Sequence, residues 1–159
     1  MDAIIKPWLG LWDYLDRNFW HVWQWARASL DADRVAWQPV PEVASIGWNL
    51  QHLGEMLDYY LCRVFSRGDQ VWPGALVTMR SGSQDDGRFR DLQAIGNYHR
   101  QVRAAYRGFL AELPGADLDR VIERQGRQAF TYAWAIGHIA EHESYHLGKC
   151  TLLRNLLPR

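Results

Sequence analysis

The sequence predicts an all-α protein, a four-helix bundle with one long connection between its second and third helices. Three observations predict it. Apolar residues recur every three or four positions through four long stretches, the spacing of an amphipathic helix face. Proline and glycine punctuate the chain between those stretches. No stretch alternates as a strand for long, and there are no internal repeats or low-complexity tracts. At 159 residues the chain has the length of one domain with a sizeable core, taken as 1–159.

The first helix is expected from about Lys6 to Leu30, with an apolar stripe running from Trp8, Leu11 and Trp12 through Phe19 and Trp23 to Ala26 and Leu30. Pro7 suits its first turn, where an N–H has no intrahelical acceptor. Asp13, Asp16, Arg17 and Gln24 fall on the opposite side. Residues 32–44, with Pro39 and Pro41, read as a loop. Ser45 can cap the second helix, which runs on Ile46, Leu50, Leu53, Leu57, Leu61 and Val64 to about Arg67, with Gly68 as its stop. Residues 69–90 carry no sustained period, and a connection of that length argues for a crossover, not a hairpin.

The third helix spans about Asp91 to Leu113, carried by Leu92, Ile95, Tyr98, Val102, Ala105, Tyr106 and Phe109, and Pro114-Gly115 ends it. Residues 116–130 form a second loop, in which Gly126 between Arg124 and Arg127 marks a turn or a short hairpin. Thr131 can cap the fourth helix, which continues to about Leu157 before Pro158.

Composition narrows the function. Eighteen basic and eighteen acidic side chains give a net charge of +0, without the basic block expected of a nucleic-acid binder. Hydrophobic residues at 48% and charged ones at 23% describe a globular chain. No apolar run is long enough for a membrane span, and the N-terminus lacks the pattern of a signal peptide. Two cysteines, Cys62 and Cys150, make no disulfide framework. The expectation is a cytoplasmic domain without nucleic-acid or membrane partners.

Nine tryptophans and six histidines remain to be assigned. His138, His142 and His146 stand at i, i+4 and i+8 of the fourth helix, and each step of four rotates by only about 40°. An i, i+4 pair can hold one metal ion. His52 can approach that pair if the second and fourth helices pack together, and three neutral imidazoles with an open position form a catalytic-metal arrangement. His138 is left as a hydrogen-bonding neighbour of the ligands, an occasional ligand or a polar core group, and His21 and His99 as ordinary residues. His142-Glu143-Ser144-Tyr145-His146 is literally HExxH. A zinc peptidase is disfavoured because residues 147–159 contain no His, Asp or Glu to supply a third ligand. Glu143 is expected to point sideways into solvent or a helix end. A di-iron carboxylate site lacks its matching carboxylates on the first and third helices.

The stretches Ser45-Ile-Gly-Trp-Asn-Leu-Gln-His52-Leu-Gly-Glu55 and His138-Ile-Ala-Glu-His142-Glu-Ser-Tyr-His146-Leu-Gly148 resemble the DinB/YfiT-like superfamily. The resemblance covers most of the chain in layout. It implies an up-down-down-up bundle with parallel second and third helices, and a divalent metal held by three histidines that carry over to His52, His142 and His146. Zinc or nickel is the usual ion, with iron or manganese suited to the same donors. Many members are dimers, and a homodimer is expected here. Members with assigned reactions include thiol-dependent transferases and isomerases that use low-molecular-weight thiols such as bacillithiol or mycothiol. Lys149-Cys150 departs from the common Gln and aliphatic residue. Cys150 is expected as a buried core thiol, with a thiolate ligand as the lesser reading.

These readings point to a metal-dependent enzyme of the S-transferase, isomerase or hydrolase type acting on a small molecule. The alternative is a non-catalytic metal- or ligand-binding dimer. Glu55, Asp58 and Glu141 are candidates to orient the imidazoles. Trp8, Trp12, Trp23, Trp48 and Trp134 are expected in the core or a dimer face, while Trp37 and Trp72 are candidates to roof the site.

Overall fold

The computed structural model describes residues 2–71, 78, 87–123, 126 and 128–158. It is mostly helical. Helix α1 spans Lys6–Ser29 and buries Leu9, Trp12, Leu15, Phe19, Trp23 and Ala26 on one stripe. The loop expected after it contains a short helix, α2, Ala32–Val35, capped by Asp31, whose carboxylate accepts from Arg34 N at 2.8 Å. Four residues are too few to display a helical period, so the cap and the buried Val35 define this turn.

Helix α3 spans Ile46–Tyr59, and the Ser45 hydroxyl caps it by accepting from Trp48 N at 3.1 Å. Its last turns differ from the expected continuous helix to Arg67: Tyr60–Val64 is a π-turn, closed by Phe65 N donating to Tyr60 O at 2.8 Å. The wider turn lets Tyr60, Leu61 and Phe65 all be buried, and Phe65 stacks on Phe109 with centroids 4.5 Å apart. Gly68 then takes φ +80°, the left-handed conformation that glycine adopts freely.

Helix α4, Leu92–Glu112, is capped by Asp91, which accepts from Gln93 and Ala94 N. Ala105, expected on its apolar stripe, is exposed, while His99 and Arg103 are buried among the apolar positions. A 3-10 turn at Gly115–Asp119 leads to a two-stranded antiparallel ribbon, β1 Val121–Ile122 and β2 Phe130–Thr131, with Val121 opposite Thr131. This is the hairpin signalled by Gly126, which sits at φ +68° in the connection. Helix α5 spans Tyr132–Leu156, capped by Thr131 through Trp134 N at 3.2 Å.

Helix α1 packs against α4 and α5, and α3 packs against the same two helices. Gly54 permits the close α3–α4 approach: a Cβ there would lie 2.7 Å from the Tyr98 ring. The apolar interior falls into two clusters. One surrounds Trp12, Phe65, Tyr106 and Tyr132, and the other surrounds Phe19, Trp23, Leu50, Leu53 and Leu147. Trp12, Trp23 and Trp48 are buried as expected, and Trp8 is partly buried, whereas Trp134 is 52% exposed. Trp37 packs against the second cluster, and Trp72 lies outside the described residues. No helix among the described residues is long and apolar enough to cross a membrane.

Candidate metal centre

Packing of α3 against α5 brings His52, His142 and His146 together. One ring nitrogen from each lies within 4.8 Å of the others, and the Nε2 atoms of His52 and His142 are 3.3 Å apart. Two imidazole nitrogens bound to one tetrahedral ion at about 2.1 Å would stand about 3.4 Å apart. His146 is buried, while His52 and His142 keep partial exposure.

Hydrogen bonds fix which nitrogen carries the proton in two of the three rings, His146 and His52. The Asn49 side-chain amide donates to the carbonyls of Ala44 and Ser45 at 3.1 and 2.7 Å, so its Oδ1 faces His146 as an acceptor. His146 Nδ1 therefore donates to it at 2.7 Å, leaving the Nε2 lone pair free. At His52 the same logic runs through Thr78. The Thr78 hydroxyl gives its proton to Glu55 Oε2 at 2.6 Å, so its oxygen accepts from His52 Nδ1 at 3.0 Å. His52 Nε2 is again left with a lone pair, aimed at His142. The Trp48 indole stacks on His52, with centroids 4.6 Å apart and 16° between planes.

Burial, which disfavours the imidazolium, and repulsion from neighbouring imidazoles hold all three rings neutral at pH 7. His52 is pushed down to about 3, His142 to about 4 and His146 to about 2, with the Lys149 ammonium adding to each. Neutral imidazoles with converging lone pairs fit a divalent cation, and fixed outer nitrogens are what metal-bound histidines use.

Of the residues expected to orient the rings, Glu55 does so through Thr78 and also accepts from Gln51 Nε2 at 3.0 Å. Asp58 serves elsewhere: it accepts from Val71 N at 2.9 Å and Tyr98 Oη at 3.0 Å, anchoring the start of the long connection against α3 and α4. Glu141 is exposed, 3.5 Å from His138 Nδ1. His138 lies beside the cluster, stacked on Trp134 with centroids 5.0 Å apart, and its ring is 5.8 Å from that of His142. His99 is a core group bonded to Leu50 O at 2.8 Å, and His21 is exposed. Cys150 is a buried thiol outside the ligand cluster, its pKa raised to about 12 by burial.

The expectation for Glu143 is overturned. It is only 1% exposed and accepts from Arg103 Nη1 of α4 at 2.5 Å, while Arg103 Nε donates to Asp16 of α1 at 2.6 Å. One residue along a helix is a rotation of about 100°, so when His142 faces α3, Glu143 faces the α1–α4 side. The HExxH glutamate is thus held in a buried ion pair and does not act as the base of a zinc peptidase. Asn49 and Thr78 had no assigned role in the sequence. Asn49 lies one turn before His52 on the same helix, which is a usable signal, whereas nothing in the sequence around Thr78 marks it.

Comparison with known proteins agrees with this architecture. A family model described as the DinB superfamily matches residues 16–150. A crystal structure of a conserved protein from Enterococcus faecalis is similar over 99% of this chain and 98% of its own, with a TM-score of 0.77 and 15% identity. At that identity the likeness speaks for the fold alone. No curated protein matches the chain.

Proposed function

We propose, from the premise that the chain belongs to the DinB superfamily, that it is a metal-dependent enzyme with His52, His142 and His146 as its ligands. The reaction is transfer of a low-molecular-weight thiol's sulfur to an electrophilic small molecule, a thiol-dependent isomerisation, or hydrolysis. The observation that carries this reading is the convergence of three neutral imidazoles, two of them with their outer nitrogens fixed by Asn49 and by the Thr78–Glu55 chain. When bound, the ion supplies Lewis acidity that lowers the pKa of a thiol or water beside it. The chain itself keeps the ligands deprotonated by burial, holds their tautomers, and uses Trp48 to fix the His52 ring. His138, partly exposed next to His142, is placed to meet a substrate at the rim. Zinc or nickel is the proposed ion, with iron or manganese as alternatives.

We further propose the up-down-down-up path. Asp13–Arg107, Asp16–Arg103 and Trp23–Leu92 pair α1 and α4 in opposite directions, and His52–His142 with Asn49–His146 do so for α3 and α5. A homodimer is proposed on α5, where exposed Trp134, Tyr145, Leu152 and Leu156 fall on one side of the helix. A cytoplasmic setting suits the two free cysteines.

The decisive experiment is a screen of thiol cofactors with electrophiles on untagged protein carrying each metal in turn. Turnover that needs both metal and thiol supports S-transfer or isomerisation, and turnover with metal and water alone supports hydrolysis. Stoichiometric metal without turnover would favour a non-catalytic metal-binding protein.

A further inference from the structure

Beside the histidine centre stands a cation without a counter-ion. Lys149 follows His142 by seven residues and His146 by three. Seven residues along a helix rotate by only about 20°, so Lys149 leaves α5 on the side from which His142 projects. Its ammonium lies over the Tyr145 ring, 4.4 Å from the centroid. Tyr145 stands one turn earlier, so the lysine folds back along the helix toward the ligands. The Tyr145 ring in turn meets that of His146 edge-on, with centroids 5.0 Å apart. Lys149 is half-buried there, although long cationic side chains usually carry their charge out into water. Its charge is felt at His52, His142 and His146 alike, disfavouring protonation of each.

No carboxylate answers this charge. The acids of the same helix are engaged elsewhere, Glu143 with Arg103 and Glu141 beside His138. Lys149 forms no ion pair among the described residues, and its contact there is the face of Tyr145. Three neutral imidazoles bring no charge to offset a divalent cation. Glu55, the carboxylate behind them, is committed to Thr78 and Gln51. An ammonium next to a site for a cation repels it unless an anion joins the two. A single ammonium, with no arginine fork and no helix N-terminus beside it, suits a singly charged carboxylate better than a phosphate, which calls on several donors.

We propose that Lys149 determines specificity at the histidine centre, by pairing with a carboxylate carried by the small molecule that binds there. This rests on the reading of the three histidines as a metal site, and it adds the charge and the functional group of the molecule that the site takes.

The test loads the whole protein with cobalt(II) and titrates it with mercaptoacetate, 3-mercaptopropionate and 4-mercaptobutyrate, each against its neutral primary amide. Sulfur-to-cobalt charge-transfer absorption reads the binding. For at least one chain length, the ratio of acid to amide affinity should be about tenfold higher in the wild type than in Lys149→Gln, as loss of a charge-assisted contact requires. Lys149→Arg, which keeps the charge, should retain most of that preference. Lys149→Gln should hold cobalt at least as tightly as the wild type, because a repelling charge is gone. Equal ratios in the wild type and Lys149→Gln at every length would overturn the proposal, since any preference would then belong to the ion. No charge-transfer band with any thiol would overturn it too, and both results leave the metal site standing. Absence of the cobalt ligand-field bands from the wild type would overturn the metal site and the proposal with it. A change of oligomeric state in Lys149→Gln on sedimentation would overturn the proposal by giving the ammonium to a second copy of the chain.

Discussion

Two buried polar clusters flank α5, one on its α3 side and one toward α1 and α4, and they bury polar atoms in opposite ways. Facing α3, His142 and His146 meet His52, and His146 and His52 have their outer hydrogen bonds satisfied and their inner lone pairs left over. Facing α4, Glu143 meets Arg103, and Arg103 meets Asp16, so that one cation is shared by two carboxylates across three helices. The first cluster has unused ligand capacity held by neutral groups. The second spends most of its capacity on itself. Adjacent residues, His142 and Glu143, thus belong to different chemistry: one to the neutral histidine cluster, the other to a buried ion pair between helices. A motif read as a string of letters joins what the helix separates.

The largest expected effect sharpens the first cluster. His142→Ala or His146→Ala should abolish stoichiometric metal in protein purified without a tag, read by elemental analysis. Added zinc should raise the melting temperature of the wild type and not of either variant, because a ligand stabilises only a state that binds it. Retained metal in both variants would break the assignment.

The second cluster is tested by charge. Arg103→Met leaves the Glu143 carboxylate buried without its cation and should cost about 3–5 kcal/mol in urea denaturation. Arg103→Met combined with Glu143→Leu should recover most of that loss, since the one carboxylate left without its cation, Asp16, is partly exposed to water. A double variant as unstable as the single one would show that Arg103 acts through its packing between Trp12 and Phe19 instead.

A smaller effect separates ligands from the groups that orient them. Asn49→Ala and Thr78→Val should each retain the metal but weaken its affinity by about 10–100-fold, the usual range for removing such a partner. Competition with a chelator of known affinity measures it. The smallest effect is expected at Glu141, exposed beside His138: Glu141→Ala should leave metal affinity unchanged and stability within about 0.5 kcal/mol. A loss comparable to that of Asn49→Ala would move Glu141 into the centre.

What the sequence alone determined is what depends on near neighbours along the chain. Helix boundaries followed from the caps at Ser45 and Thr131, which act within three residues. The shared face of His142 and His146 followed from helical geometry, and His52 joined them through the expectation that two apolar stripes pack. The π-turn at Tyr60–Val64 escaped this reading because burial of Phe65, not local preference, selects it. Thr78 escaped because 26 residues separate it from His52, and only the fold brings it over α3 to meet Glu55. Glu143 was misplaced because a lone glutamate on a helix is usually solvated, and its cation lies forty residues away on α4. Periodicity and capping are properties of a segment and can be read in order. The partner of a buried polar atom is a property of the packed whole, and only tertiary structure chooses it.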